Sequence, residues 1–194
     1  MKCSPMKTLL RNELIQKRKN LNPDEIQEKS SQIKKRLFSL DEFQRAQTLL
    51  FYVSYDNEVY THEMIQETLA MKKQVVVPCT EIKKRQLSLS ELQRWTDLTT
   101  GAYTILEPKM ECKKKVPLKS IDLVIVPGVG FDLHGNRIGH GKGYYDSLLR
   151  HARNTVKIGL AFELQIQKKI PVEDHDVCVD TIITEKRIIS CSPR

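Results

Sequence analysis

The chain has 194 residues, 40% of them hydrophobic and 29% charged, with a formal net charge of +8. That supplies enough apolar surface for one domain with a real core, and no apolar run reaches the roughly 18–20 residues that span a bilayer. Lys7, Arg11 and Glu13 interrupt the first apolar positions, which excludes a secretory signal, and Asp24, Glu25 and Glu28 argue against an acid-poor transit peptide. The expectation is a cytoplasmic protein with no membrane partner. Its five cysteines are scattered, odd in number and without a C-x-x-C pair, so neither a disulfide framework nor a structural zinc site is expected. Basic clusters at 11–19, 34–36, 83–85, 113–115 and 168–169 read as solvated faces, with attraction for an anion as the functional alternative. No nucleic-acid signature accompanies them, and no nucleic-acid partner is expected.

Along the chain, residues 7–20 predict a helix with Leu10, Leu14 and Lys17 on one face. Asn22-Pro23-Asp24-Glu25 starts a second helix: an asparagine cap, proline at the first helical position and Glu25 three residues on. Ile26, Ser30, Ile33 and Leu37 then repeat at helical spacing. Thr48–Ser54 is a short apolar run that suits a strand buried on both faces. A helix capped by Thr61 and a strand over Gln74–Cys79 follow. Residues 81–120 are less regular: "QLSLS" predicts a strand, "TGAYTILEP" a turn plus an extended piece, and the lysine-rich stretch a loop. Ile121–Gly128 is the clearest buried strand. It is followed by a glycine segment, a helix over "GYYDSLLRHA", a strand over Thr155–Phe162, a short helix over "ELQIQKKI" and a final strand or hairpin. This alternation predicts an α/β sheet, parallel or mixed, covered on both faces.

Six of the eight glycines fall between Gly128 and Gly143. Glycine weakens a core, so such a cluster points to turns or to a ligand that approaches the backbone. The segment follows a strand and opens a helix, where α/β sheets bind ligands and helix N–H groups attract anions. It is not a Walker A loop, because Asn136 stands where the first glycine belongs and Gly143 where Ser or Thr belongs. Nor is it a dinucleotide fingerprint, since Tyr144 replaces the third glycine. The residues alone support an anion-binding loop; the alternative is a tight surface turn.

The ordered string "GFDLHGNRIGHGKGYYD" resembles the signature of the 5-formyltetrahydrofolate cyclo-ligase family. Outlying blocks extend the resemblance over most of the chain: "KTLLRNEL" resembles a K-x-x-x-R helix, "SYDNEVYT" an S-x-x-x-E-x-x-T turn, and "GLAFELQ" and "PVEDHDVCVD" two C-terminal blocks. The resemblance implies one three-layer α/β domain spanning residues 1–194, similar to the sugar-phosphate isomerase and CoA-transferase-like fold. Its mostly parallel sheet would carry helices on both faces. It implies ATP-dependent cyclisation of 5-formyltetrahydrofolate, with or without a polyglutamate tail, by a monomer. The alternative is a non-catalytic nucleotide- or folate-binding regulator on the same fold.

The resemblance also implies roles for residues of this chain. Lys7, Arg11, Arg137, Ile138, Gly139, His140, Gly141, Lys142, Gly143, Tyr144 and Tyr145 would bind ATP, with Lys142 and Arg137 acting on the transferred phosphoryl group. Val53, Glu58, His140, Gly141, Lys142, Gly143 and Tyr144 would contact the folate, Glu58 by accepting hydrogen bonds from the pterin ring, with Tyr145 also lining its pocket and Tyr55 read as core. Asp146 and Asp176 would hold Mg²⁺, with Asp180 a weaker candidate; His134 and His175 read as polar loop residues. Where the family often has arginine this chain has His140, whose charge follows pH.

Overall fold

The computed structural model describes residues 5–152, 155–174 and 176–191. The chain opens with α1 (Pro5–Lys19), α2 (Pro23–Ser39) and the short α3 (Asp41–Arg45). The predicted capping box at α2 is present: Glu25 N donates to Asn22 Oδ1 at 2.9 Å and Asn22 N to Glu25 Oε2 at 3.0 Å. Strand β1 (Thr48–Leu50), helix α4 (His62–Ala70) and strands β2 (Gln74–Glu81) and β3 (Gln86–Leu92) follow. The less regular middle holds β4 (Leu98–Thr100), β5 (Leu106–Pro108) and β6 (Lys114–Lys115), so the lysine-rich stretch includes an edge strand. Then come β7 (Leu123–Val126), β8 (Gly130–Asp132), β9 (Arg137–Ile138), α5 (Tyr144–Arg150), β10 (Val156–Leu160), β11 (Ile166–Gln167), β12 (Thr181–Ile183) and β13 (Ile188–Ser190).

The main sheet has the order β13-β12-β10-β7-β1-β2-β3-β6. β12, β10, β7, β1 and β2 are mutually parallel, while β13, β3 and β6 join antiparallel. Alternation sorts the strand residues into two cores, because successive side chains point to opposite faces. Leu49, Val75, Leu123, Ile125 and Ile158 meet Ile33 and Leu37 of α2, Phe43 of α3, and Met64 and Ile65 of α4. Leu50, Val76, Val124, Val126 and Ile182 meet Leu148 and Leu149 of α5 and Phe131 of β8. The second face is therefore covered by one helix and the small β11-β8-β9 sheet, not by helices alone.

Several local expectations change. β1 pairs only over Thr48–Leu50, with one further bond from Phe51 N to Val76 O; the chain to Ser54 is buried but forms no ladder. Thr61 makes no side-chain cap. Its hydroxyl donates to Tyr52 O at 2.8 Å and accepts from Ser54 N at 3.0 Å, tying the turn after β1 to α4. "ELQIQKKI" is a single 3₁₀ turn followed by β11, because Gln165 is drawn inward to donate to Gly128 O and Val129 O, both at 2.9 Å.

The glycine cluster divides by purpose. Gly128 in the loop after β7 and Gly159 in β10 make room for the buried Phe131 ring: a Cβ would lie 2.4 Å and 2.7 Å from it. Gly135 turns the β8–β9 hairpin at φ +81. Only Gly139, Gly141 and Gly143 belong to the loop ahead of α5. Because Phe131 is confined from both sides, Gly159→Ala should lower stability by about 2 kcal/mol through overpacking. Urea unfolding checks this: the midpoint should fall with the slope unchanged, and an unchanged midpoint would contradict the packing.

Candidate active site

Strand order reverses between β1 and β7: the chain runs from β1 to β2 on one side and from β7 to β10 on the other. In open α/β sheets that switch point leaves a crevice beyond the carboxyl ends of the strands. A cleft of about 440 Å³ lies there, lined by Val53 after β1, Thr80 of β2 and Pro127 after β7.

Helix α1 supplies one wall. Lys7, Arg11, Leu14 and Arg18 stand at i, i+4, i+7 and i+11, one stripe of a helix, and Lys7, Leu14 and Arg18 are buried. Lys17, expected on the apolar face, is instead exposed and paired with Glu13 at 2.7 Å. Three basic residues thus occupy a stripe that an ordinary amphipathic helix fills with apolar side chains. Carboxylates explain it: Lys7 pairs with Asp176 at 2.5 Å, and Arg18 NH1 lies 3.9 Å from Glu58. Arg11 Nε donates to Gly139 O at 2.8 Å, fixing the glycine loop to α1.

The β8–β9 hairpin supplies the opposite wall. Buried Asp132 accepts from His134 N, Asn136 N, Asn136 Nδ2 and Ile170 N at 2.9–3.1 Å. The F-D-x-x-G-N-R part of the motif is therefore a turn whose product is the placement of Arg137. Arg137 NH1 donates to Pro127 O at 3.2 Å and NH2 to Asp146 Oδ1 at 2.6 Å, joining the end of β7 to the first turn of α5. The guanidinium also lies 5.9 Å from the Tyr145 ring centre. The loop then reaches the cleft through Gly141 (φ +87) and Gly143 (φ +72), a left-handed path that suits glycine. Lys142 is exposed, with its ammonium 3.0 Å from the centre of the Tyr103 ring. α5 has only seven residues, so side-chain cations supply more of the site's positive charge than its dipole.

Glu58, almost fully buried, stands in the turn after β1. Its Oε2 accepts from Tyr55 N at 3.3 Å and its Oε1 lies 3.4 Å from His140 Nε2. Burial, and then the Glu58 charge, pushes the Tyr52, Tyr55 and Tyr145 phenols above their ordinary range. They stay protonated, and the buried Tyr145 hydroxyl has no hydrogen-bond partner among the described residues. Tyr103 is pulled below its ordinary value by a hydrogen bond from Tyr144 and then by Lys142.

Every residue expected at the site lines this cleft except Ile138, and so does Tyr55, expected in the core. Ile138 is fully buried with Leu14, Val129 and Ile170, because its neighbour Arg137 takes the cleft side of the strand. Asp180 is structural: its Oδ2 accepts from Lys157 N at 2.7 Å. His134 lies outside the cleft lining and His175 outside the described residues. Among the described residues no three His, Cys, Asp or Glu side chains gather around one point. Asp146 and Asp176, read as a metal pair, each carry a cation partner, Arg137 and Lys7. The sequence reading missed Arg85, Leu87, Tyr103, Ile105 and Glu107, all from the irregular middle. It also missed Arg18, which the α1 stripe spacing could have revealed.

Fold and cleft together define an α/β protein whose strand-order switch point opens on a cleft lined by cationic side chains and a buried carboxylate. A family model described as 5-formyltetrahydrofolate cyclo-ligase matches residues 3–185, and the chain belongs to that family of ligases. It is 28% identical over 176 residues to the Escherichia coli (strain K12) 5-formyltetrahydrofolate cyclo-ligase, covering 89% of this chain and 97% of that one. The solved structure of Aquifex aeolicus 5,10-methenyltetrahydrofolate synthetase superposes with a TM-score of 0.86 at 32% identity, covering 97% of this chain and 94% of that one. The Mycoplasma pneumoniae 5,10-methenyltetrahydrofolate synthetase superposes with a TM-score of 0.75 at 25% identity, covering 92% and 98%. No helix among the described residues is long and apolar enough to cross a membrane.

Proposed function

We propose that this chain, acting as one domain, cyclises 5-formyltetrahydrofolate to 5,10-methenyltetrahydrofolate at the expense of ATP. One observation carries the reading: the same cleft gathers Lys7, Arg11, Arg137 and Lys142 with the buried carboxylate Glu58. A formamide carbonyl is a poor electrophile, and its oxygen is a poor leaving group. Transfer of the ATP γ-phosphoryl group to that oxygen releases ADP and makes the formyl carbon iminium-like. N10 then attacks the carbon and loses its proton, and phosphate departs with the former formyl oxygen. The protein's share is alignment and charge stabilisation.

In this reading Lys7, Arg11 and Lys142 meet the phosphates, and Arg137 orients Asp146 and adds charge beside the transferred group. Backbone N–H groups of the 139–143 loop approach the phosphates, which side chains at Gly141 and Gly143 would hinder. Glu58 accepts N–H bonds from the pterin ring, while Val53, Tyr55, Tyr144 and Tyr145 wall it. The Tyr145 hydroxyl supplies a donor. Asp146 and Asp176 offer hard oxygen donors that fit Mg²⁺, which binds one or two carboxylates plus phosphate oxygens and water. When bound, Mg²⁺ would screen the phosphate charge. Lys7 and Arg137 would then exchange a carboxylate partner for phosphate oxygen.

The test is direct. Protein, 5-formyltetrahydrofolate, Mg²⁺ and ATP are mixed and the near-ultraviolet absorbance of the methenyl product is followed. A rise that needs both ATP and Mg²⁺ is expected. Binding of both substrates without any rise would favour the non-catalytic regulator.

A further inference from the structure

Arg18 is the most deeply buried charged side chain of α1, at 1% exposure. None of its three guanidinium nitrogens makes a hydrogen bond among the described residues. A buried cation without hydrogen bonds is costly unless a charge answers it, and two carboxylates do so at a distance. NH1 lies 3.9 Å from Glu58 Oε1, and NH2 lies 3.8 Å from Asp56 Oδ2. Asp56 is 43% exposed, so solvent screens it; Glu58, at 6%, is not screened. Asp56 sits at φ +52 in this turn, a left-handed conformation that Asp tolerates better than most non-glycine residues. The turn is tied down further by Asn57 Nδ2, which donates to Arg18 O at 3.3 Å.

We infer that Arg18 is a positioning residue for the folate-binding carboxylate: it balances the charge of Glu58 from behind without using its lone pairs. An ionised carboxylate offers about four acceptor sites. In this structure Tyr55 N takes one, and His140 Nε2 approaches a second at 3.4 Å. A hydrogen-bonded arginine would consume two more in the bidentate mode that arginine favours. Held at 3.9 Å, Arg18 instead leaves those sites to a ligand presenting paired N–H donors. The inference rests on the folate reading above.

The experiment compares R18M, which keeps an unbranched apolar stem and removes the charge, with R18K, which keeps charge, and with D56N. KM for 5-formyltetrahydrofolate, KM for ATP, kcat and the thermal midpoint are measured for each, alone and with E58Q. R18M should raise the folate KM about 30-fold, the scale of losing one partner of a buried pair, with the ATP KM within about 2-fold. R18K should recover most of that, and D56N should stay within about 3-fold. In the E58Q background R18M should add less than about 2-fold, since the charge it answers is gone. Equal rises in both KM values, no recovery by R18K, or an undiminished R18M effect beside E58Q would each overturn the inference. If R18M does not fold, R18K decides. A folate KM within about 3-fold of wild type supports the charge role, and a larger rise at an unchanged thermal midpoint overturns it. Wild-type protein without turnover would overturn the functional reading itself, whereas normal wild-type turnover with indifferent R18M overturns only the role of Arg18.

Discussion

Lys142→Ala is expected to lower kcat by about 10³-fold while leaving the folate KM within about 3-fold. Removing one preorganised charge from a developing transition state costs 10²–10³-fold in well-studied sites, and an ammonium held against the Tyr103 ring at the cleft belongs to that group. Lys142 is exposed and its resting contact is the face of Tyr103, which is half exposed. That contact contributes roughly 0.5–1 kcal/mol, so the thermal midpoint should barely move. Stability and turnover thus separate cleanly. If turnover and thermal midpoint fell together, the lysine would be a turn residue and the phosphoryl-transfer role would be lost. A rise confined to the folate KM would assign it to ground-state binding.

The main sheet was legible in the sequence because its strands are short apolar runs buried on both faces, as at Leu123–Val126. The small sheet was not. β11 has two residues inside a segment with helical composition, and what makes it a strand is the distant demand of Gly128 O and Val129 O for the Gln165 amide. Local propensity cannot register a partner 36 residues away. The site divides the same way. The site residues taken from the long ordered motif, between Arg137 and Asp146, were found by its specificity, and all of them but Ile138 reach the cleft. Tyr103 and Glu107 were missed because they arrive through an irregular segment where Tyr103 and Thr104 both adopt positive φ. Pairing of β5 with β4 and the bond from Thr80 N to Glu107 help bring that segment over the loop.

The glycine count carried less than it promised. Gly128 and Gly135 would appear in any protein that packs Phe131 and turns this hairpin so tightly. What distinguishes the cleft is where charge is buried. Lys7, Arg18, Glu58 and Arg137 are each at most 6% exposed, in a chain whose basic clusters suggest solvated faces. Burying charge is expensive unless it is paired; Asp132, Lys157 and Glu185 are buried elsewhere with local partners, whereas these four gather in or directly behind one cleft.

Glu58→Gln should raise the folate KM by about 10²-fold and leave the ATP KM within about 2-fold. The substitution keeps volume and shape, so the turn after β1 and its tie to α4 through Thr61 should survive. It removes the negative charge and replaces one acceptor oxygen with an N–H donor. A ligand that offers paired N–H groups then meets a donor, and an unmet buried donor costs about 1–3 kcal/mol. At about 1.4 kcal/mol per tenfold, the upper end of that range gives the 10²-fold. Arg18 is also left facing a neutral amide 3.9 Å away, which moves the effect toward that upper end. Titrating 5-formyltetrahydrofolate into the variant, with turnover measured in parallel, separates binding from chemistry. An unaltered folate KM would remove Glu58 from the ligand contacts and take the orientation of the folate with it. A matching loss of ATP affinity would show instead that the whole cleft had collapsed.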